Sequence, residues 1–219
     1  METYGILWDM DGVLADSTQL HYKSWKATLD PRGFEITDEM FKHTFGENNR
    51  SVLTDIFGHP PAEEELNDIS TEKEAWFREH IPGNMDILPG VLDWLKRFQS
   101  WGFLQAIASS APTKNIEAQI DALGIRAYFN VLGSAADLPS KPDPVVFIKA
   151  AEKLGVSPAR SVVIEDSPAG VEGARRSGMK CIAVLTTQPA SVLKNADLIV
   201  NRLTDLKETD LRKLLGILD

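Results

Sequence analysis

From residue 100 onward, short apolar runs alternate with helical patterns. Phe103 to Ala108, Phe129 to Gly133, Ser161 to Ile164, Lys180 to Leu185 and Asp197 to Val200 read as strands. Between and after them, Pro112 to Leu123, Pro144 to Leu154, Pro168 to Ser177 and Thr209 to Leu218 read as helices. Strands that are apolar throughout and separated by helices predict a parallel sheet covered on both faces. Three of the helices carry Pro at or near the first position, where a missing N–H costs nothing. Ile6-Leu7-Trp8 is one more apolar run, near the N-terminus. Residues 16–84 break the rhythm: Gln19 to Leu29, Asp38 to Thr44, Arg50 to Phe57 and Ala62 to His80 predict helices with no strand among them. Pro82-Gly83-Asn84 ends this stretch, and Pro89-Gly90 with a helix at Val91 to Ser100 restores the alternation. The expected fold class is α/β, with a doubly wound parallel-sheet, Rossmann-like core formed by residues 1–15 and 85–219. An all-helical domain of residues 16–84 is inserted after the first strand.

Composition narrows the function more than the fold. The chain has 219 residues, 43% hydrophobic and 25% charged, enough for a core and an insertion. A formal net charge of -9 argues against nonspecific nucleic-acid binding and against docking on anionic lipid. The single cysteine, Cys181, rules out a disulfide within the chain and makes a cysteine-built zinc site implausible. No apolar run is long enough to span a membrane and no signal peptide is evident, so the expectation is a cytoplasmic monomer without nucleic-acid or membrane partners.

The chemistry lies at the ends of the apolar runs, where an open parallel sheet binds its ligands. Asp9, Asp11 and Gly12 follow the first strand, and Ser109 and Ser110 follow the second. Lys141 follows the third, within Ser140-Lys141-Pro142, and Glu165 and Asp166 end the fourth. Asp9, Glu165 and Asp166 offer hard oxygen ligands without His or Cys, a set that suits Mg2+. Asp9 can attack phosphorus, and Asp11 can protonate the leaving oxygen and later activate water. Ser109 and Lys141, with Ser110 beside them, can hold the phosphoryl oxygens and offset their charge, while Gly12 lets the backbone turn sharply. The bland readings are a tight turn at Asp9 to Gly12, and helix caps at Ser109-Ser110 and Glu165-Asp166. Their occurrence together, each at a strand end, favours a site.

The ordered segments "DMDGV", "ASS", "SKPDP" and "VVIEDSPAG" resemble the four motifs of the haloacid-dehalogenase superfamily. The helical insert resembles its C1-type cap, in the branch that holds β-phosphoglucomutase and sugar-phosphate phosphatases. The resemblance implies Asp9 as nucleophile and Asp11 as general acid/base, with its backbone carbonyl on the metal. It places Ser109, Lys141, Glu165 and Asp166 in the remaining motif roles. Trp8 departs from the usual Phe before the nucleophile. On the cap, His21 matches a histidine that assists proton transfer, Arg50 an arginine that grips a far phosphate, and Lys73 a lysine at the hinge. For each, an ordinary structural or solvated residue is the competing reading.

The expected activity is therefore Mg2+-dependent phosphoryl transfer through an aspartyl-phosphate, on a small phosphorylated metabolite such as a sugar phosphate. A mutase would need a second phosphate site, which Arg50, Lys114 and Asn115 could supply. The loop "SSAPTKN" is one residue longer than the mutase loop, and Ala111 stands where a phosphate-binding serine is expected. These differences favour a phosphatase over a β-phosphoglucomutase. A reading from another class, a phosphoacceptor or ligand-sensing domain, fits poorly with an insert of this size.

Overall fold

The computed structural model describes residues 3–217. Six strands form one parallel sheet: β1 (Gly5–Trp8), β2 (Leu104–Ser109), β3 (Val131–Ser134), β4 (Ser161–Glu165), β5 (Lys180–Val184) and β6 (Leu198–Val200), in the order β3-β2-β1-β4-β5-β6. The chain runs outward from β1 in both directions, so the strand order reverses there. Between β1 and β2 come α1 (Thr18–Leu29), α2 (Asp38–Thr44), α3 (Asn49–Phe57), α4 (Glu63–Glu79) and α5 (Val91–Ser100). The crossovers and tail supply α6 (Thr113–Ala122), α7 (Val145–Leu154), α8 (Pro168–Ser177) and α9 (Glu208–Leu215).

Alternation along the central strands divides the core in two. Ile6 and Trp8 of β1 and Val162 and Ile164 of β4 join one apolar layer with Trp94, Phe98, Ile116 and Leu211. Leu7 and Val163 face the opposite layer, with Phe147, Val171 and Ala174. Successive side chains of a strand point to opposite faces, so runs that look uniformly greasy serve both layers. The helical insert has a core of its own around Trp25, Leu29, Phe41, Leu53 and Ile69. A smaller cluster, Leu20, Phe77 and Ile81 with Ala118 of α6 packed against it, joins the insert to the sheet domain.

Two expected boundaries shift by more than one residue. The strand expected from Phe129 begins at Val131, because a 3-10 turn at Arg126–Tyr128 precedes it and pairing with β2 starts at Asn130. Asn130 donates its N–H to the Gln105 carbonyl (2.8 Å) and accepts the Gln105 N–H on its side chain (2.9 Å). The last helix ends at Leu215, where Gly216 turns the backbone left-handed (φ 66°). Leu218, expected inside that helix, lies outside the described residues. Among the described residues, no helix is long and apolar enough to cross a membrane.

The structure also accounts for Trp8. Its indole N–H donates to Gln105 Oε1 (3.1 Å), and the Gln105 amide donates to the Leu95 carbonyl (3.0 Å). Both side chains are buried, so the larger ring at this position depends on a polar partner in the neighbouring strand. Gln105→Leu should therefore cost roughly 1–3 kcal/mol by orphaning the indole N–H. Adding Trp8→Phe should recover most of that loss in a urea-unfolding double-mutant cycle; additive losses would refute the coupling.

Candidate active site

The acids at the tip of β1 are held by backbone geometry. Asp9 still donates its N–H to the Ile164 carbonyl of β4 (3.0 Å), so its carboxylate emerges where the ladder ends. Gly12 turns the chain with φ 86°, and a Cβ there would overlap the Asp166 carboxylate. The Gly12 N–H is taken by the Ala15 carbonyl (2.8 Å), so this residue shapes the loop and has no amide free for a ligand. Gly170 has a similar role on the other side: a Cβ on it would occupy the place of the Glu165 carboxylate.

Lys141 ties the strand ends together. Its Nζ lies 2.6 Å from Asp9 Oδ1 and 2.6 Å from Glu165 Oε1, and its side chain is buried. Glu165 Oε2 accepts from the N–H of Asp166, the N–H of Ser167 and the Ser167 hydroxyl, each at 2.9 Å. Both Glu165 oxygens are thus engaged by protein donors. Asp166 accepts a hydrogen bond from the Thr187 hydroxyl. Ser109 Oγ accepts the Ala111 N–H (3.1 Å), fixing the loop after β2, whereas the buried Ser110 hydroxyl has no partner.

Oxygens of Asp9, Glu165 and Asp166 all lie within 4.8 Å of one another. Burial pushes Asp9 up to about 7; Lys141 opposes the rise, and Glu165 and Asp11 add to it. Burial, reinforced by Glu165 and Asp9, pushes Asp166 well above the usual carboxylate range. Burial alone would lower Lys141, yet Asp9 and Glu165 outweigh it and hold the ammonium above its ordinary value. One lysine does not balance three converging carboxylates, and the donors are all hard oxygens. The cluster fits a hard divalent cation.

Asp11 faces the helical insert. It accepts from the Ser17 hydroxyl (2.5 Å) and lies 3.2 Å from His21 Nε2. Lys73 Nζ approaches His21 Nδ1 at 3.2 Å. An ammonium only donates, so Nδ1 is the acceptor and the N–H is left on Nε2, which lies beside Asp11 without an aligned hydrogen bond. Burial would raise the Asp11 carboxyl, but His21, then Ser17 and Lys73, outweigh it and hold it below the ordinary value. The His21 ring stacks on Phe77 (centroids 4.1 Å apart). Lys73 is 3% exposed and lies over the Trp25 ring, which overturns the solvated-face reading of this lysine.

The other residues expected to bind substrate divide. Asp9, Asp11, His21, Lys73, Ser109 and Ser110 border one chamber of about 40 Å3 between insert and sheet. Arg50 borders a neighbouring cleft of about 600 Å3, and its Nη2 lies 2.8 Å from each Glu63 carboxylate oxygen. Asn115 is fully buried: its Oδ1 accepts from Arg78 (2.7 Å), and its amide donates to Glu74. Lys114 is exposed and borders neither space. Glu74, Asn49, Arg78, Thr187 and Gly170 were not anticipated. A signal for the lysine did exist, because Ile69, Lys73 and Phe77 recur at a spacing of four along one buried face of α4.

A family model described as haloacid dehalogenase-like hydrolase matches residues 6–184. The chain is 28% identical over 213 residues to the chloroplastic 5-amino-6-(5-phospho-D-ribitylamino)uracil phosphatase of Arabidopsis thaliana, covering 96% of this chain and 57% of that protein. It thus spans little more than half the length of that relative. It is 26% identical over 207 residues to validoxylamine A 7'-phosphate phosphatase of Streptomyces hygroscopicus subsp. limoneus, covering 92% of this chain and 94% of that one. The crystal structure of β-phosphoglucomutase from Clostridium difficile matches with a TM-score of 0.87 at 25% identity, covering 98% of this chain and 97% of that one.

The raised carboxyls predict a pH signature. A carboxylate raised on folding stabilises fully below its unfolded value near 3.8 and loses that contribution as pH rises through about 7. Cation-free protein should lose stability across this window, and a cation in the cluster should restore it. With Mg2+ as the probe, the gain in melting temperature should be larger at pH 8 than at pH 5.5, by roughly 5 °C. Equal gains at both pH values would contradict the cluster's role.

Proposed function

The chain belongs to the haloacid dehalogenase-like hydrolases, and from that premise we propose that it is a Mg2+-dependent phosphatase of sugar phosphates or similar small phosphomonoesters. The observation that carries the reading is the convergence of Asp9, Asp11 and the two serines on one chamber beneath the helical insert, with Lys141 Nζ 2.6 Å from Asp9. Residues 16–84 act as the cap that closes over it.

Asp9 attacks phosphorus; a bond from its oxygen forms as the bond to the leaving oxygen breaks, and Asp11, which takes up a proton as the anionic phosphoryl group binds beside it, gives that proton to the leaving oxygen. The product alcohol departs, leaving an aspartyl-phosphate. Asp11, now the carboxylate that His21, Ser17 and Lys73 favour, takes a proton from water. That water attacks phosphorus, the bond to Asp9 breaks, and inorganic phosphate leaves. The Lys141 ammonium and the Ser109 and Ser110 hydroxyls hold the non-bridging oxygens throughout. Asp9, Asp166 and the Asp11 carbonyl would hold Mg2+, whose charge permits an anionic substrate to approach a carboxylate nucleophile. Glu165, in the same carboxylate cluster, holds Lys141 in place and would complete the charge that a cation answers.

Hydrolysis is favoured over a mutase outcome by the fate of the residues that would grip a second phosphate. Arg50 pairs with Glu63, Lys114 is exposed and borders neither space, and Ala111 has no hydroxyl. The resemblance to β-phosphoglucomutase keeps the transfer of phosphate back to sugar as the competing outcome.

Asp9→Asn should lower turnover by about 10³-fold or more, and removal of Mg2+ with EDTA should silence the protein. Incubation with β-glucose 1-phosphate and a trace of glucose 1,6-bisphosphate separates the two outcomes. Free phosphate supports the phosphatase; accumulation of glucose 6-phosphate would establish the mutase instead.

A further inference from the structure

The carboxylates of the site differ in how they are held. Lys141 fixes Asp9, and Glu165 is fixed by Lys141, two backbone N–H groups and the Ser167 hydroxyl. Ser17 and His21 flank Asp11. Among the described residues, the carboxylate of Asp166 accepts from a single donor, the Thr187 hydroxyl. Thr187 Oγ1 lies closer to Asp166 Oδ2 than to the Asp166 carbonyl, which is 3.3 Å away. A hydroxyl has one proton to give, and the nearer, charged oxygen takes it.

Thr187 comes from a part of the chain that carries none of the other site residues. It lies in the loop after β5, which ends at Val184. It does not border the reaction chamber. It borders a separate cleft of about 590 Å3 between insert and sheet domain, beside Asp16, Gln19, Tyr22 and Phe45. Its reach into the site is through Asp166. A Cβ on Gly12 would come 3.0 Å from the Thr187 methyl, so the loops after β1, β4 and β5 meet at this threonine.

The last torsion of an aspartate is soft, so burial by itself does not set the plane of its carboxylate. Threonine is stiff at χ1, and with its methyl beside Gly12 its hydroxyl has a defined direction. We propose that Thr187 is a positioning residue of the cation site, whose hydroxyl sets the plane of the Asp166 carboxylate so that the cluster is arranged before the ion arrives. This rests on the reading of Asp166 as a Mg2+ ligand. Removing a partner that orients a ligand costs about 10–100-fold in metal affinity.

The test is calorimetric titration of the whole protein with Mg2+, without substrate. Thr187→Val keeps the shape of the side chain and removes the donor, and should bind Mg2+ about tenfold more weakly or worse. Thr187→Ala makes the same loss with a smaller side chain and guards against a valine variant that fails to fold. Thr187→Ser keeps the hydroxyl, and its affinity should stay within about threefold of the wild type. A purely structural role in the loop would lower the melting temperature and leave Mg2+ affinity unchanged, which overturns the proposal, as does a serine variant as weak as the alanine one. Absence of Mg2+ binding by the wild-type protein would sink the metal reading and the proposal with it. Equal binding by wild-type and donor-less proteins overturns the proposal alone.

Discussion

A single buried ammonium holds the site together. Lys141 reaches from the loop after β3 to acids at the ends of β1 and β4, with 2.6 Å to each. Without it, Asp9 and Glu165 would be two desolvated like charges in contact, an arrangement a protein interior does not tolerate. The sheet order makes the bridge possible. β1 lies between β2 and β4, so elements distant in sequence end at the same edge. Two glycines leave the necessary space, Gly12 under Asp166 and Gly170 under Glu165. The lysine leaves the cluster short of positive charge, and that shortfall is what a divalent cation and a phosphoryl group can exploit together.

The core was legible because its signals are local. Uniformly apolar runs of four to six residues admit few alternatives once helices separate them, and polar groups at their ends cannot be explained by packing. The last helix stops at a local signal, Gly216, but β3 moved for a reason no local window contains. β3 starts late because Asn130 pairs with Gln105, a residue 25 positions earlier. Trp8 looks anomalous by itself and becomes ordinary once Gln105 is seen across the strand.

The cap residues were harder to read because their chemistry depends on which face of a helix is covered. Glu72, Lys73 and Glu74 look alike in sequence, yet Glu72 pairs with Arg32 at the surface while its two neighbours are buried. The register of Ile69 and Phe77 marks Lys73 as inward. Nothing comparable marks Glu74, whose partners come from α3 and from the core. Arg50 is a different case: its position matches a phosphate-gripping arginine, and the structure sets it at the border of the larger cleft, paired with Glu63 thirteen residues on.

The two walls of the site differ in what they offer a ligand. On the core side, Lys141 and the open Ser110 hydroxyl offer donors to the phosphoryl oxygens. On the cap side, Lys73 is consumed by His21 and Glu74, so its charge sets the histidine tautomer and is not offered to a ligand. A phosphomonoester entering between them therefore meets donors at the strand ends and, on the cap side, charges that are already paired. The cap's polar chain runs from Asp11 through His21, Lys73 and Glu74 to Asn115. Each buried charge in that chain has an opposite partner or a hydrogen bond, so closure can bring a carboxylate close to the reacting group without stranding it.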